Sequence, residues 1–116
     1  MANRNINILV RLNKYITKIQ RYCEGAESDS FLADERLQEL CAFSLLQMGE
    51  LVNDIDDDFI LSHPDVPWRS VRGLRNRIVH DYEGVDTGII WDIINNHIGV
   101  FQSQILILIK MADSDQ

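Results

Sequence analysis

Trp68 to Tyr82 reads WRSVRGLRNRIVHDY, and the chain is organised around it. Trp68, Val71, Leu74, Ile78 and Val79 recur at intervals of three and four, the pattern of an amphipathic helix. Arg69, Arg72, Arg75 and Arg77 all precede the first acidic residue, Asp81, in a chain whose formal net charge is −7. At about 100° per residue, Arg72, Asn76 and His80 form one stripe, while Arg75 and Tyr82 lie almost above one another on a neighbouring one. By the same arithmetic His80 is about 140° round from Arg75. One straight helix cannot aim both at the same atom. Either the helix ends near His80, or two copies of it share a site.

An acidic chain is repelled by bulk nucleic acid, so a local basic patch has to supply any attraction for phosphate. Arginine offers a fixed bidentate fork for phosphate oxygens, and histidine titrates near neutral pH and can carry a proton. With Asn76 and Tyr82 as further hydrogen-bonding groups, the set suits phosphodiester chemistry without a metal. The plainer alternative is a solvated helix face whose arginines pair with Asp and Glu elsewhere.

Working outward, 116 residues with 46% hydrophobic and 25% charged content fit one globular domain, taken as 1–116 with a frayed tail from about 111. No apolar run is long enough to span a bilayer and no secretion signal is apparent, so a cytoplasmic setting without membrane attachment is expected. Cys23 and Cys41 make neither a disulfide framework nor a zinc set, and both occupy apolar helix positions. Asn5 to about Cys23 reads as a first helix, with Ile8 or Leu9, Leu12, Ile16, Ile19 and Cys23 on its inner side. Arg11, Lys14, Lys18 and Arg21 repeat on another face, and every charged side chain up to Cys23 is basic. That row is a solvated face, an extension of an RNA-binding surface, or a meeting point for an acidic partner. Gly25 suits the left-handed position past the helix end.

Ser28-Asp29-Ser30 reads as the start of a second helix running to about Asp54. Gly49 inside it implies close approach of another helix. Glu50 is either an ordinary polar-face residue or the partner of an arginine of the 69–77 helix. Asp54, Asp56, Asp57 and Asp58 lack the glycine and terminal glutamate of a calcium loop and read as a solvated helix start before Phe59-Ile60-Leu61. His63-Pro64-Asp65-Val66-Pro67 is a break, with Pro67 at the first position of the next helix and His63 a loop residue. After Glu83-Gly84-Val85, Asp86-Thr87 caps a last helix. Trp91, Ile94, Ile98, Phe101, Ile105 and Leu108 form its heptad seam, and Ile89 or Ile90, Ile93, Val100 and Ile107 widen it. Such surplus points to a homodimer or to a central position in the bundle. His97 reads as a core or interface histidine. The pattern is all-α: an up-and-down bundle of four main helices plus a short helical piece near Asp57–Leu61.

Arg75-Asn76-Arg77-Ile78-Val79-His80-Asp81-Tyr82 fits R-x4-H-x-Y, with Asn directly after the Arg. With FLADERLQEL (31–40), MGEL (48–51), HPDVPWRSVRGLRNRIVHDYEGVD (63–86) and IIWDII (89–94) in that order, the chain resembles the HepT-like (DUF86) branch of the HEPN superfamily. One departure is Phe43-Ser44, where relatives often carry Arg-Asn before the glycine–glutamate segment. The resemblance implies a HEPN-like bundle and a metal-independent endoribonuclease toxin needing no cofactor, dimeric, with paired motif helices lining one cleft. Arg75 and His80 would be catalytic, and Asn76, Arg72, Arg77 and Tyr82 would support them or bind RNA. It also implies a partner, a small nucleotidyltransferase antitoxin of the MNT type that silences the toxin by attaching AMP to Tyr82. The competing expectation is a non-catalytic nucleotide- or RNA-binding accessory subunit of such a transferase.

Overall fold

The computed structural model describes residues 3–80 and 87–114, apart from the side chains of Val79 and His80. Among these residues every regular element is helical. The first helix, α1 (Arg4–Tyr22), buries Ile8, Leu9, Leu12, Ile16 and Ile19 on one side. Past its end Gly25 takes a φ of 77°, the left-handed conformation in which a side chain is strained.

The helix expected over 28–54 is instead two, α2 (Ser28–Leu32) and α3 (Glu35–Asn53). Local capping overrides the long period here. The Glu27 N–H donates to Ser30 Oγ at 2.9 Å to open α2. Asp34, in extended conformation, accepts from the Leu37 N–H at 3.0 Å to open α3. Gln38 Nε2 donates to the Phe31 and Leu32 carbonyls at 2.9 and 3.1 Å, satisfying acceptors at the end of α2.

The short helix α4 (Asp57–Ser62) carries Asp57 and Asp58 in its first turn. Asp56 before it is engaged by Arg4 at 2.9 Å and by Asn5 Nδ2 at 3.3 Å. The break that follows is fastened by Trp68, whose Nε1–H donates to the His63 carbonyl at 3.0 Å, while the His63 ring lies 4.7 Å from Phe59. Pro67 sits one place earlier than expected, at the cap position of α5 (Trp68–Arg72).

Two of the expected helices are interrupted at single residues. Gly73 separates α5 from α6 (Leu74–His80), and His97 separates α7 (Thr87–Asn96) from α8 (Ile98–Ser114). Helical hydrogen bonding nevertheless passes through both. The Gly73 N–H donates to Arg69 O and the Arg77 N–H to Gly73 O, each at 3.0 Å, and the His97 and Phe101 N–H groups bond to Ile93 O and His97 O. Four rods result, α1, α3, α5–α6 and α7–α8, with α2 and α4 as short additional helices. Residues 111–114, expected in the frayed tail, belong to α8.

α3 is the central rod, in contact with α1, α5, α6 and α7, and α1 also packs on α8. Arg4 meets Asp56 and Cys23 Sγ lies 3.6 Å from Cys41 Sγ, so α1 and α3 run antiparallel. Burial pushes the pKa of both thiols up, and each is free. Phe31 stacks on Trp91 at 5.1 Å and Trp68 meets Phe101 edge-on at 6.1 Å, closing the core. Of the predicted seam, Ile98, Phe101, Ile105 and Leu108 are buried, with Trp91 and Ile94 half-buried. The extra apolar residues divide: Ile90 is buried and Ile93 packs against the core, whereas Val100 and Ile107 are 62% and 59% exposed, and Met111 is exposed as well.

Candidate active site

The site is set by what α3 lacks. A Cβ on Gly49 would stand 3.0 Å from Arg75 N, 3.1 Å from Val71 O and 3.3 Å from Arg72 O. The α5–α6 backbone therefore rests on α3 where one residue has no side chain, as the glycine inside an apolar helix implied. The next residue, Glu50, is delivered to α6, where its Oε1 forms an ion pair with Arg75 Nε. Both side chains remain about half exposed, at 46% for Glu50 and 55% for Arg75. Such a pair holds the arginine in place more than it stabilises the fold, since exposed pairs contribute about 0–1 kcal/mol. Of the two sequence readings of Glu50, the partner of an arginine is the one observed.

Arg72 closes α5, and Asn76 and Arg77 follow Arg75 on α6, all exposed. Arg77 turns away from the Glu50 side and lines a groove of about 750 Å³ between the α5–α6 and α7–α8 rods. The floor of that groove is apolar, with Leu74, Ile93 and Phe101 among its lining residues. Asp92 and His97 also line it, with His97 Nε2 3.4 Å from Asp92 Oδ2. His97 is thus not a core histidine: its side chain is 66% exposed, because the seam residues beside it take the inner side. No signal short of the fold foretold the groove, because its depth depends on how two consecutive rods are set against each other and against α3.

His80 is the last described residue of α6, and its side chain lies outside the described residues, as does the whole of Tyr82. What the backbone fixes is that Arg75 and His80 sit on one short helix, about 140° apart and about 7.5 Å apart along its axis. Arg72 and Asn76 lie on the stripe that leads to His80. Among the described residues, no group of three or more His, Cys, Asp and Glu is placed to hold a metal ion. None of the described helices is long and apolar enough to cross a membrane.

A helical bundle with this motif on an arginine-bearing helix can be compared with known proteins directly. The family model described as "Ribonuclease HepT-like" matches residues 12–107, most of the chain. The chain belongs to the HepT-like ribonuclease family. Among its HepT-like relatives, a Thermococcus cleftensis protein named "Probable ribonuclease HepT" is 33% identical over 98 residues, covering 84% of this chain and 89% of that one. A Caldanaerobacter subterraneus protein, named as a candidate RNase, is 31% identical over 78% of this chain and 88% of its own length. Another protein so named, from Methanocaldococcus jannaschii, is 40% identical over 70 residues, spanning 60% of this chain and 58% of that protein. No solved structure matches the chain.

Proposed function

We propose that this HepT-like chain is a metal-independent endoribonuclease acting as the toxin of a HEPN/MNT pair, with two protomers completing each site. Ribonuclease is the function of the family to which the chain belongs. The observation that carries the finer reading is the delivery of Arg75 by Gly49 and Glu50 onto the helix that also bears His80. Glu50 takes the Nε edge of the guanidinium, which leaves the Nη edge as the natural seat for a phosphate.

In this mechanism His80 removes the proton from a ribose 2′-hydroxyl. The 2′-oxygen attacks the adjacent phosphorus, and the 5′-oxygen of the next nucleotide leaves and is protonated. The products are a 2′,3′-cyclic phosphate end and a free 5′-hydroxyl. Arg75 stabilises the non-bridging oxygens as charge builds on them. Asn76 orients His80 or binds phosphate, Arg72 and Arg77 draw the strand in, and Tyr82 stacks a base or bonds a phosphate. The angular separation of Arg75 and His80 favours a dimer, in which the arginine of one protomer and the histidine of its partner converge. The uncovered row of Val100, Ile107 and Met111 is apolar surface available for such an assembly. Purified protein should cleave single-stranded RNA to 2′,3′-cyclic ends, and His80→Ala should not. Equal rates for the two would remove His80 from the reaction.

Silencing would follow from adenylylation of Tyr82 by an MNT-type nucleotidyltransferase, which would put an anionic nucleotide beside the arginines. Mass spectrometry after incubation with ATP and the transferase reads this directly: an added AMP on the peptide containing Tyr82 supports it, and an unmodified peptide with cleavage undiminished refutes it.

A further inference from the structure

The first helix carries a second cationic surface that the proposed reaction does not use. All 18 acidic residues of the chain lie at or beyond Glu24, so among the described helices of more than ten residues α1 alone bears charge of a single sign. Arg4, at its start, is engaged by Asp56. Arg11, Lys14, Lys18 and Arg21 are all exposed, and none has an ion-pair partner among the described residues. On an α-helix these four fall within an arc of about 80° and rise over about 15 Å, the length of about four nucleotides of one strand.

Two aromatic rings flank that face. Tyr15 and Tyr22 are seven residues apart and lie about 80° and about 60° from the mean direction of the charges, on the side toward the core. Tyr22 is 38% exposed at one end of the row. Lys18 Nζ stands 5.3 Å from the centre of the Tyr15 ring, whose inner edge packs on the core. Positive charges that follow a backbone, interleaved with flat rings on which bases stack, are the two components of single-strand recognition. An acidic polypeptide would use the charges but has no need of the rings.

Register connects this surface to the motif. With Arg4 against Asp56 and Cys23 against Cys41, Arg11 and Lys14 lie level with Glu50, which holds Arg75. The row begins at the height of the site and runs away from it toward Arg21.

We propose that Arg11, Lys14, Lys18 and Arg21, with Tyr15 and Tyr22, form a track that holds single-stranded RNA outside the cleavage site. The proposal rests on the ribonuclease reading for the identity of its ligand. Four charges on a single strand account for a salt slope of about 3. The test uses the full chain carrying His80→Ala, so that substrate survives, and a fluorescein-labelled unstructured 20-nucleotide RNA read by anisotropy from 50 to 300 mM salt. Adding Arg11→Gln, Lys14→Gln, Lys18→Gln and Arg21→Gln should lower the slope of log Kd against log salt by about 3 and weaken binding about tenfold or more at the lowest salt. Tyr22→Ala should weaken binding at least about fivefold with the slope kept, since stacking is not ionic. The substituted side chains are exposed, so helicity and melting temperature should match the parent.

A quadruple variant that is folded and keeps the parent's slope overturns the track. If it also loses binding to poly-glutamate that the parent shows, the surface belongs to an acidic polypeptide. A protein that cleaves RNA yet shows no slope change refutes this inference alone. One that neither binds nor cleaves RNA removes the ribonuclease reading as well.

Discussion

The two cationic helices of this acidic protein are built in opposite ways. α1 is long and regular and packs on the bundle through its apolar side, so Arg11, Lys14, Lys18 and Arg21 stand in solvent with no ion-pair partner among the described residues. The α5–α6 rod is short and interrupted at Gly73, and it is pressed onto α3 until the backbones touch at Gly49. Its Arg75 is held by a carboxylate. The contrast separates two uses of one charge. An unfixed row attracts a polyanion at any register, and its strength falls with salt. A fixed guanidinium can meet one oxygen at one moment of a reaction, and its value lies in not having to reorganise.

Five substitutions test that contrast. His80→Ala and Arg75→Ala should each lower the rate of RNA cleavage by about 10²–10⁴-fold with the melting temperature nearly unchanged, in a single-turnover assay. Gly49→Ala should lower stability by about 1–3 kcal/mol, because the added carbon meets backbone that cannot rotate away, and cleavage should fall with it. Thermal melting gives the first number and cleavage at a temperature where the variant is folded gives the second. Glu50→Gln should cut kcat about tenfold with little change in KM, while stability moves by no more than about 1 kcal/mol. Lys18→Gln should change the salt slope of RNA binding by about 0.7 and leave melting where it was. Should Glu50→Gln behave like Lys18→Gln, altering salt dependence alone, then Arg75 is one more attracting charge and the distinction fails.

Much of this could be read before any coordinates. The inner side of α1, the turn at Gly25, the break over 63–67 and the buried seam of α8 follow from local period and from glycine and proline, which act within a few residues. The divisions at Asp34, Gly73 and His97 did not. At Asp34 a side-chain cap outweighs a period that continues on both sides, and at the other two the hydrogen bonds pass through with only the geometry disturbed. Of the site, the motif and its helix were visible, and Gly49 gave warning that a second backbone came close. Glu50 could not be matched to one arginine, because its partner lies 25 residues on and pairing depends on how two rods are set.

The seat at Gly49 has a consequence for variation in this protein. A contact made of main-chain atoms on one side and a missing methyl on the other has no complementary replacement: enlarging it leaves nothing on the opposite wall to trim, because every residue there presents the same atoms. In a saturation library ranked by melting temperature, glycine should therefore stand first at position 49 and alanine next, larger residues should fail to fold, and no second-site rescue should appear among residues 71, 72 and 75, while the neighbour at 50 stays permissive for folding and strict for turnover.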